Sequence, residues 1–208
     1  YPVALQLAAV VPLAAPIPRA AWAAGRPVYR SDLIVREDAP FRTLEDTFGG
    51  RAVWTIEHSQ SGFNAFRHHL LQYRTATRPV LYCETVPNLV TARAILDSVR
   101  ERRIDVGPLD AYWHLLVAQH NPALTAGVRV LATTDVATLP AFVTAASTPA
   151  STLAALRTAF ANASQQSWFR EFADALLIEG FAPVDATDYA RTLEWDREAK
   201  SAGYGYPA

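Results

Sequence analysis

The sequence has a single cysteine, Cys83, and no methionine among its 208 residues. One cysteine excludes a disulfide within the chain and a zinc site built from cysteines. Cys83 follows the apolar run 80–82, so we expect a small buried hydrophobic side chain at this position. The cysteine content fits both a reducing and an oxidising compartment and does not choose between them.

An excess of charge of one sign is also lacking. The formal net charge is −1, and the arginines at 100, 102 and 103 are interrupted by Glu101 and Asp105. The basic surface of a nucleic-acid-binding protein is therefore not evident, and we expect no nucleic-acid partner. The histidines, such as the adjacent pair His68 and His69, lack the spacing of metal ligands, so we expect no metal site and no cofactor.

Long hydrophobic runs are absent as well, although half of the residues are hydrophobic and suffice for a substantial core. The apolar segment 3–18 is too short to span a bilayer. It has no basic start, and its prolines fit a signal peptide poorly. We expect a buried strand followed by an extended, proline-rich passage.

Strand-like and helix-like patterns alternate along the chain. Predicted strands cover residues 27–36, 51–56, 80–85, 104–107, 128–133 and 141–146, and predicted helices cover 63–71, 89–102, 111–120, 152–163, 167–178 and 187–202. We expect Ser151 to cap one helix and Gly180 to end another. The alternation predicts an α/β fold with largely parallel sheets.

Residues 59–62, which we call the 59–62 loop, form the most informative stretch. Their sequence is Ser-Gln-Ser-Gly, between a predicted strand and a predicted helix. The start of a helix has unpaired N–H groups and the positive end of the helix dipole, and two hydroxyl side chains complete a possible anion site. Serine is also a common N-cap residue in helices that bind nothing, so simple capping stays open.

A serine hydrolase is the enzymatic alternative, because His58 stands beside Ser59 and Ser61. A nucleophile elbow requires Gly-x-Ser-x-Gly, and Glu57 stands where Ser59 would need the first glycine. For Ser61 that position is Ser59 itself. We therefore expect a binding protein rather than an enzyme.

Five segments, in this order, resemble one known family. They are residues 25–36 (GRPVYRSDLIVR), 43–51 (TLEDTFGGR), 59–63 (SQSGF), 104–112 (IDVGPLDAY) and 180–189 (GFAPVDATDY). In these segments the chain resembles the substrate-binding proteins of phosphate, phosphite and phosphonate ABC importers, which have the type 2 periplasmic binding protein fold.

The resemblance implies two α/β lobes joined by a hinge, with a ligand cleft between the lobes. Residues 1–47 would hold part of lobe 1 and the hinge, residues 48–135 lobe 2, and residues 136–208 the return to lobe 1 and the C-terminal helices. The first lobe would be incomplete, because the N-terminal part of the family has no counterpart here. We therefore expect a processed or truncated piece of a longer protein.

The resemblance also implies a ligand site. The residues carried over to this chain are Tyr29, Ser59, Gln60, Ser61, Gly62, Thr85 and Asp110. The 59–62 loop would cradle an oxyanion, with Gln60 where the family often has threonine. Tyr29 would contact the ligand, Thr85 would donate a hydrogen bond, and Asp110 would meet an amine or a hydroxyl. Simple roles also stay open, as a half-buried strand residue for Tyr29 and as a helix N-cap for Asp110.

One segment departs from the family. Phosphonate binders place Gly-Ser-His near residues 84–88, and this chain has Glu-Thr-Val-Pro-Asn with no histidine. The departure weakens the case for phosphonate itself as the ligand. Glu84 would repel a dianion if it faced the site.

The function implied is that of a periplasmic solute-binding protein. It would bind a small anionic or zwitterionic ligand, resembling phosphate, phosphite or phosphonate, and deliver it to an ABC permease through a transient contact. A monomer located in the periplasm, or anchored outside the cytoplasmic membrane, is the family default. The alternatives are a sensor of the same fold, or another solute such as a sulfonate or a thiamine precursor.

Overall fold

A computed structural model describes residues 9–208. The strands are β1 Val10–Pro18, β2 Val28–Tyr29, β3 Ser31–Arg36, β4 Arg51–Val53, β5 Glu84–Val86, β6 Gly107–Asp110, β7 Val128–Thr133, β8 Ala137–Thr138, β9 Phe142–Ala145 and β10 Ile178–Pro183. The helices are α1 Ala65–Leu70, α2 Ala92–Arg100, α3 Ala111–His120, α4 Pro122–Thr125, α5 Ala150–Ala161, α6 Phe169–Leu176 and α7 Ala190–Ser201. Short 3₁₀ turns cover Leu44–Thr47, Leu71–Tyr73, Ala163–Gln165 and Thr187–Tyr189, and Gln60–Asn64 forms a π-helical turn.

The chain divides into two compact units. Unit 1 holds the described residues up to Tyr29 together with Ala137–Leu193, and unit 2 holds Arg30–Val136 with Glu194–Ala208. Residues 30–47, assigned above to the first lobe and the hinge, thus belong to unit 2. The lobe boundaries implied by the resemblance stay a prediction.

Unit 2 is built around strand β3. This strand pairs antiparallel with β6 on one side and β7 on the other. Leu33, Ile34 and Val35 are fully buried, as expected for a central strand with both faces covered. Leu33 packs in a core cluster with Phe66 of α1, and Ile34 packs in another with residues of α2. A helix therefore covers each face of this sheet.

Unit 1 is built around β1, which pairs antiparallel with β9 and β10. The prolines of β1 are compatible with this central position, because each end of the strand pairs on one side only. Residues 10–12 pair with β9, and residues 15–18 pair with β10. Proline has no backbone N–H group to donate, and on the unpaired side of the strand no hydrogen bond between strands is lost by its presence.

The prediction of largely parallel sheets is wrong. β4 and β5 are paired in parallel, whereas the other pairings between described strands are antiparallel. Alternation of strands and helices predicts parallel pairing only for strands joined by a crossover, as β4 and β5 are. The central strands β1 and β3 instead pair with strands that are distant in sequence.

Several predicted elements are confirmed, and others are displaced. Helix 111–120 and strand 128–133 have the predicted ends. The strand predicted at 80–85 lies at Glu84–Val86, and that predicted at 104–107 begins at Gly107 and includes Pro108. Pro108 is tolerated because β6 is an edge strand of its sheet. The extended passage within segment 3–18 is strand β1, and residues 3–8 lie outside the described part.

Two predicted helix ends are also wrong. Ser151 lies inside α5, for which Pro149 occupies the N-cap position. Gly180 lies in β10 opposite Ile17, and α6 ends instead at Leu177, whose φ is 50°. Ending the helix earlier leaves residues 178–183 for pairing with β1.

Candidate functional site

The 59–62 loop begins the helical segment that continues into α1. The backbone N–H of Gly62 donates to Ser59 Oγ at 3.0 Å. The capping role left open by the sequence is therefore real for Ser59. A hydroxyl that accepts in this way can still donate its own proton, and the first N–H groups of the segment have no carbonyl of a preceding turn to meet.

Gly62 is required at its position by lack of space. The N–H of Thr55 donates to the Gly62 carbonyl at 3.2 Å. A Cβ atom on Gly62 would lie 2.1 Å from Thr55 Oγ1 and 3.0 Å from Ser59 Oγ. The Thr55 side chain thus fills the space beneath the loop, and its hydroxyl is buried without a hydrogen-bond partner among residues 9–208.

Ser61 is held from strand β3. The hydroxyl of Ser31, which is fully buried, donates to the Ser61 carbonyl at 2.7 Å. The Ser31 N–H in turn donates to Thr134 Oγ1 at 2.9 Å. Neither Ser31 nor Thr134 was expected near the loop from the sequence. The one sequence feature that could have indicated Ser31 is its position as a small polar residue at the start of an apolar strand.

Asp110 combines capping with a contact to the loop. Its Oδ1 accepts hydrogen bonds from the N–H groups of Tyr112 at 2.9 Å and Trp113 at 3.0 Å, so the N-cap role that the sequence left open is observed. Burial raises the pKa of Asp110, against the lowering effect of these two bonds and of a hydrogen bond with the Ser61 side chain. The structure thus brings Asp110 and Ser61 together in unit 2.

A second buried carboxylate lies close to Asp110. Asp32 forms a hydrogen bond with His114, with 2.8 Å between Asp32 Oδ2 and His114 Nδ1. Its negative charge adds to the rise in the pKa of Asp110. Arg30 also forms an ion pair with Asp32, with 3.7 Å between Nε and Oδ1, so Asp110 is the better candidate of the two carboxylates to meet a donor group of a ligand.

Two predicted site residues lie elsewhere in the fold. Tyr29 is in unit 1, buried on β2 and opposite Ala137. Thr85 lies on β5 opposite Ala52 of β4, the strand that leads toward the 59–62 loop. Its neighbour Glu84 is exposed and lies opposite Arg51 in the register of β4 and β5.

The expectation of a buried Cys83 is wrong. Cys83 is exposed, and its Sγ lies 3.3 Å from the carbonyl oxygen of Gly50. The reason is that the predicted strand 80–85 does not form there, so the side chains of this segment do not alternate as in a buried strand. Val80 is correspondingly exposed.

Other kinds of site find no support in the described residues. Across residues 9–208, no group of three histidine, cysteine, aspartate or glutamate side chains could hold a metal ion. None of the helices in the described part is long and apolar enough to cross a membrane.

The family model for the phosphonate-binding periplasmic substrate-binding proteins of ABC transporters matches residues 1–189. The chain belongs to this family. It is accordingly a substrate-binding protein of the ABC-transporter type, with the type 2 periplasmic binding protein fold. No curated protein sequence matches the chain.

Solved structures show the same fold. A binding protein component of an ABC phosphonate transporter from Pseudomonas aeruginosa has a TM-score of 0.78 at 14% identity, covering 96% of this chain and 66% of that one. PhnD1 from Prochlorococcus marinus, in complex with methylphosphonate, has a TM-score of 0.77 at 14% identity, covering 95% and 74%. A Xanthomonas citri protein bound to ATP has a TM-score of 0.67 at 17% identity, covering 97% and 74%.

Proposed function

We propose that this chain binds a small phosphonate-like oxyanion at the 59–62 loop. The observation that carries the proposal is a group of neutral donors at the start of one helical segment. Ser59 keeps a hydroxyl proton for a ligand, and the buried Thr55 Oγ1 and Gln60 Nε2 atoms have no hydrogen-bond partner among the residues that the structure describes. Unpartnered buried donors are rare in native proteins, and a bound ligand is one way to satisfy them.

The absence of a cationic side chain from this group bears on the ligand's charge. Neutral hydroxyl, amide and backbone donors bind an oxyanion without requiring a dianion. Asp110 adds a carboxylate on the Ser61 side of the loop. The arrangement suits a monoanion or a zwitterion whose donor group faces Asp110.

The remaining roles follow from the family. Tyr29 would contact the body of the ligand and Thr85 would donate a hydrogen bond. The protein would act as a monomer outside the cytoplasmic membrane, without enzymatic activity and without a cofactor. It would release its ligand to an ABC permease in the membrane during a transient contact.

Calorimetric titration tests the proposal. Wild-type protein is titrated with methylphosphonate, phosphite, phosphate, 2-aminoethylphosphonate and sulfate. We expect binding of at least one phosphorus oxyanion. Ser59→Ala should weaken it by about 1.5–3 kcal/mol, the usual worth of a hydrogen bond to a charged group, and Ser61→Ala should weaken it as well, because the Ser61 side chain holds Asp110 beside the loop. Ser201→Ala, at the end of α7, is the matched control and should bind as wild type does.

Two outcomes would contradict the proposal. If no phosphorus oxyanion binds wild-type protein, the ligand class is wrong. If one binds and both serine variants bind it unchanged, the ligand lies elsewhere than the 59–62 loop.

A further inference from the structure

The carboxamide of Gln60 has a fixed orientation. Arg67 Nη2 donates to Asn64 Oδ1 at 3.1 Å, and Asn64 Nδ2 donates to Gln60 Oε1 at 2.8 Å. A guanidinium group can only donate, so the Asn64 oxygen must face Arg67 and the Asn64 nitrogen must face Gln60. Gln60 Oε1 is then the acceptor, and Gln60 Nε2 is directed away from Asn64.

Arg67 is itself held firmly. Its side chain is 2% exposed, and it donates to Asp196 Oδ1 at 2.5 Å and to the Gly205 carbonyl at 3.0 Å. Burial opposes ionisation of Asp196, but hydrogen bonds from Lys200 and Arg67 outweigh it and lower the pKa of that carboxyl. Asp196, Arg67 and Asn64 therefore form a continuous series of charge-assisted and neutral bonds that ends on Gln60.

The series leaves two buried donors without a hydrogen-bond partner in the described part of the chain, Arg67 Nε and Gln60 Nε2, and of these Gln60 Nε2 belongs to the 59–62 loop. Leaving a buried donor unpaired is costly, whereas the opposite amide orientation would expose Arg67 to the Asn64 amide nitrogen. The buried Thr55 hydroxyl, which lies against Gly62 of the same loop, is unsatisfied as well.

We propose that Asp196, Arg67 and Asn64 are positioning residues that hold the Gln60 amide N–H for the bound ligand. This inference rests on the proposed function. An amide N–H can only donate, so Gln60 selects a ligand with a hydrogen-bond acceptor at this point and rejects an ammonium group. The donor is covered in this structure, and ligand binding displaces the groups that cover it.

The orientation of Gln60 is tested without a ligand by Asn64→Asp. The new carboxylate pairs with Arg67 and accepts from Gln60 Nε2, which relieves the unsatisfied donor. We expect the midpoint of thermal unfolding to rise by a few degrees. Asn162→Asp, an exposed residue at the end of α5, is the matched control and should unfold at or slightly below the wild-type midpoint. A fall in the midpoint of Asn64→Asp would show that Gln60 is oriented otherwise.

The positioning role is tested by affinity for methylphosphonate. Gln60→Met and Asn64→Asp should each weaken binding roughly 10- to 100-fold, the loss of one bond to a charged group. The double variant should bind no more weakly than Gln60→Met, because Asn64 acts only through Gln60. Gln72→Met, on the exposed turn after α1, should bind as wild type does.

The outcomes separate the two proposals. A double variant whose loss equals the product of the single losses would overturn the positioning role while leaving the proposed function intact. If wild-type protein binds none of the phosphorus oxyanions, the proposed function fails and the ligand part of the inference fails with it. The unfolding midpoint of Asn64→Asp still decides how Gln60 is oriented.

Discussion

The Ser31 hydroxyl donates a 2.7 Å hydrogen bond to the carbonyl of Ser61, and this bond joins the central strand of unit 2 to the 59–62 loop. Ser31 is fully buried, so water cannot replace the bond. Ser31→Ala should lower the free energy of unfolding by about 1–2 kcal/mol, because the Ser61 carbonyl loses its buried donor. Urea denaturation measures the change, and calorimetry should show weaker binding of the oxyanion.

Ser98 provides the matched control for this prediction. It is also a buried serine, and within the described range 9–208 its hydroxyl has no hydrogen-bond partner. Ser98→Ala should therefore leave the free energy of unfolding unchanged or raise it slightly. Equal losses in both variants would mean that the Ser31–Ser61 bond contributes nothing beyond the burial of a serine.

Gly62→Ala should disturb both the loop and its ligand. The added methyl group would lie 2.1 Å from Thr55 Oγ1 and 2.9 Å from Thr55 Cγ2, too close for the present packing. We expect the free energy of unfolding to fall by about 1–3 kcal/mol, the usual cost of overpacking. Urea denaturation measures this loss, and calorimetry should show that oxyanion binding is impaired.

Two further variants decide whether the clash is the cause. Thr55→Ala removes both atoms in the way, so adding it to Gly62→Ala should restore part of the lost stability. Gly205→Ala is the control, because a Cβ there meets no atom within 4 Å. Failure of the double variant to recover any stability would mean that backbone conformation, and not space, requires glycine at 62.

The sequence indicated the family, and it left open the capping of α3 by Asp110 that is observed, because both depend on short local patterns. The ligand-binding role of the 59–62 loop stays a prediction. The sequence could not predict the pairing of β1 and β3, since antiparallel partners distant in sequence leave no local trace. The prolines at 12, 16 and 18 indicated an extended passage, and one-sided pairing at each end of β1 allows this passage to form a strand.

The supporting residues of the candidate site were also beyond the sequence. Ser31, Thr134 and Asn64 act through single hydrogen bonds to residues up to 103 positions away in the chain. Arg67 resembled an ordinary charged residue of a helix surface, and only its 2% exposure identifies it as a buried cation. Residues of this kind are revealed by tertiary contacts alone.

Cys83 should react with a thiol reagent in the folded protein. Its side chain is exposed and it is the chain's single cysteine, so Ellman's reagent should modify one thiol per chain without denaturant. Reaction only after addition of urea would contradict the exposed position. Cys83→Ser should show no reaction and should unfold at the wild-type midpoint.

Asp110 should give stability a recognisable pH dependence. Burial raises the pKa of this carboxyl above the reference value of 3.8. Between 3.8 and the raised value the folded state binds more protons than the unfolded state, so stability falls as the pH rises through this window. Asp110→Asn keeps an N-cap of similar strength and removes the titration. The wild-type free energy of unfolding minus that of Asp110→Asn should therefore decrease as the pH rises from 3.8, and then level off.

Asp46 supplies a control of opposite sign. Hydrogen bonds from the N–H groups of Arg42 and Thr43 lower the pKa of its carboxyl. The stability that it contributes is present above pH 3.8 and is lost as the pH falls through the lowered value. The corresponding difference for Asp46→Asn should therefore decrease on acidification. If the difference in the free energy of unfolding for Asp110→Asn also decreases on acidification, as that for Asp46→Asn should, then Asp110 is stabilised in its ionised form. The Ser61 side of the loop would then attract a cationic ligand group more strongly.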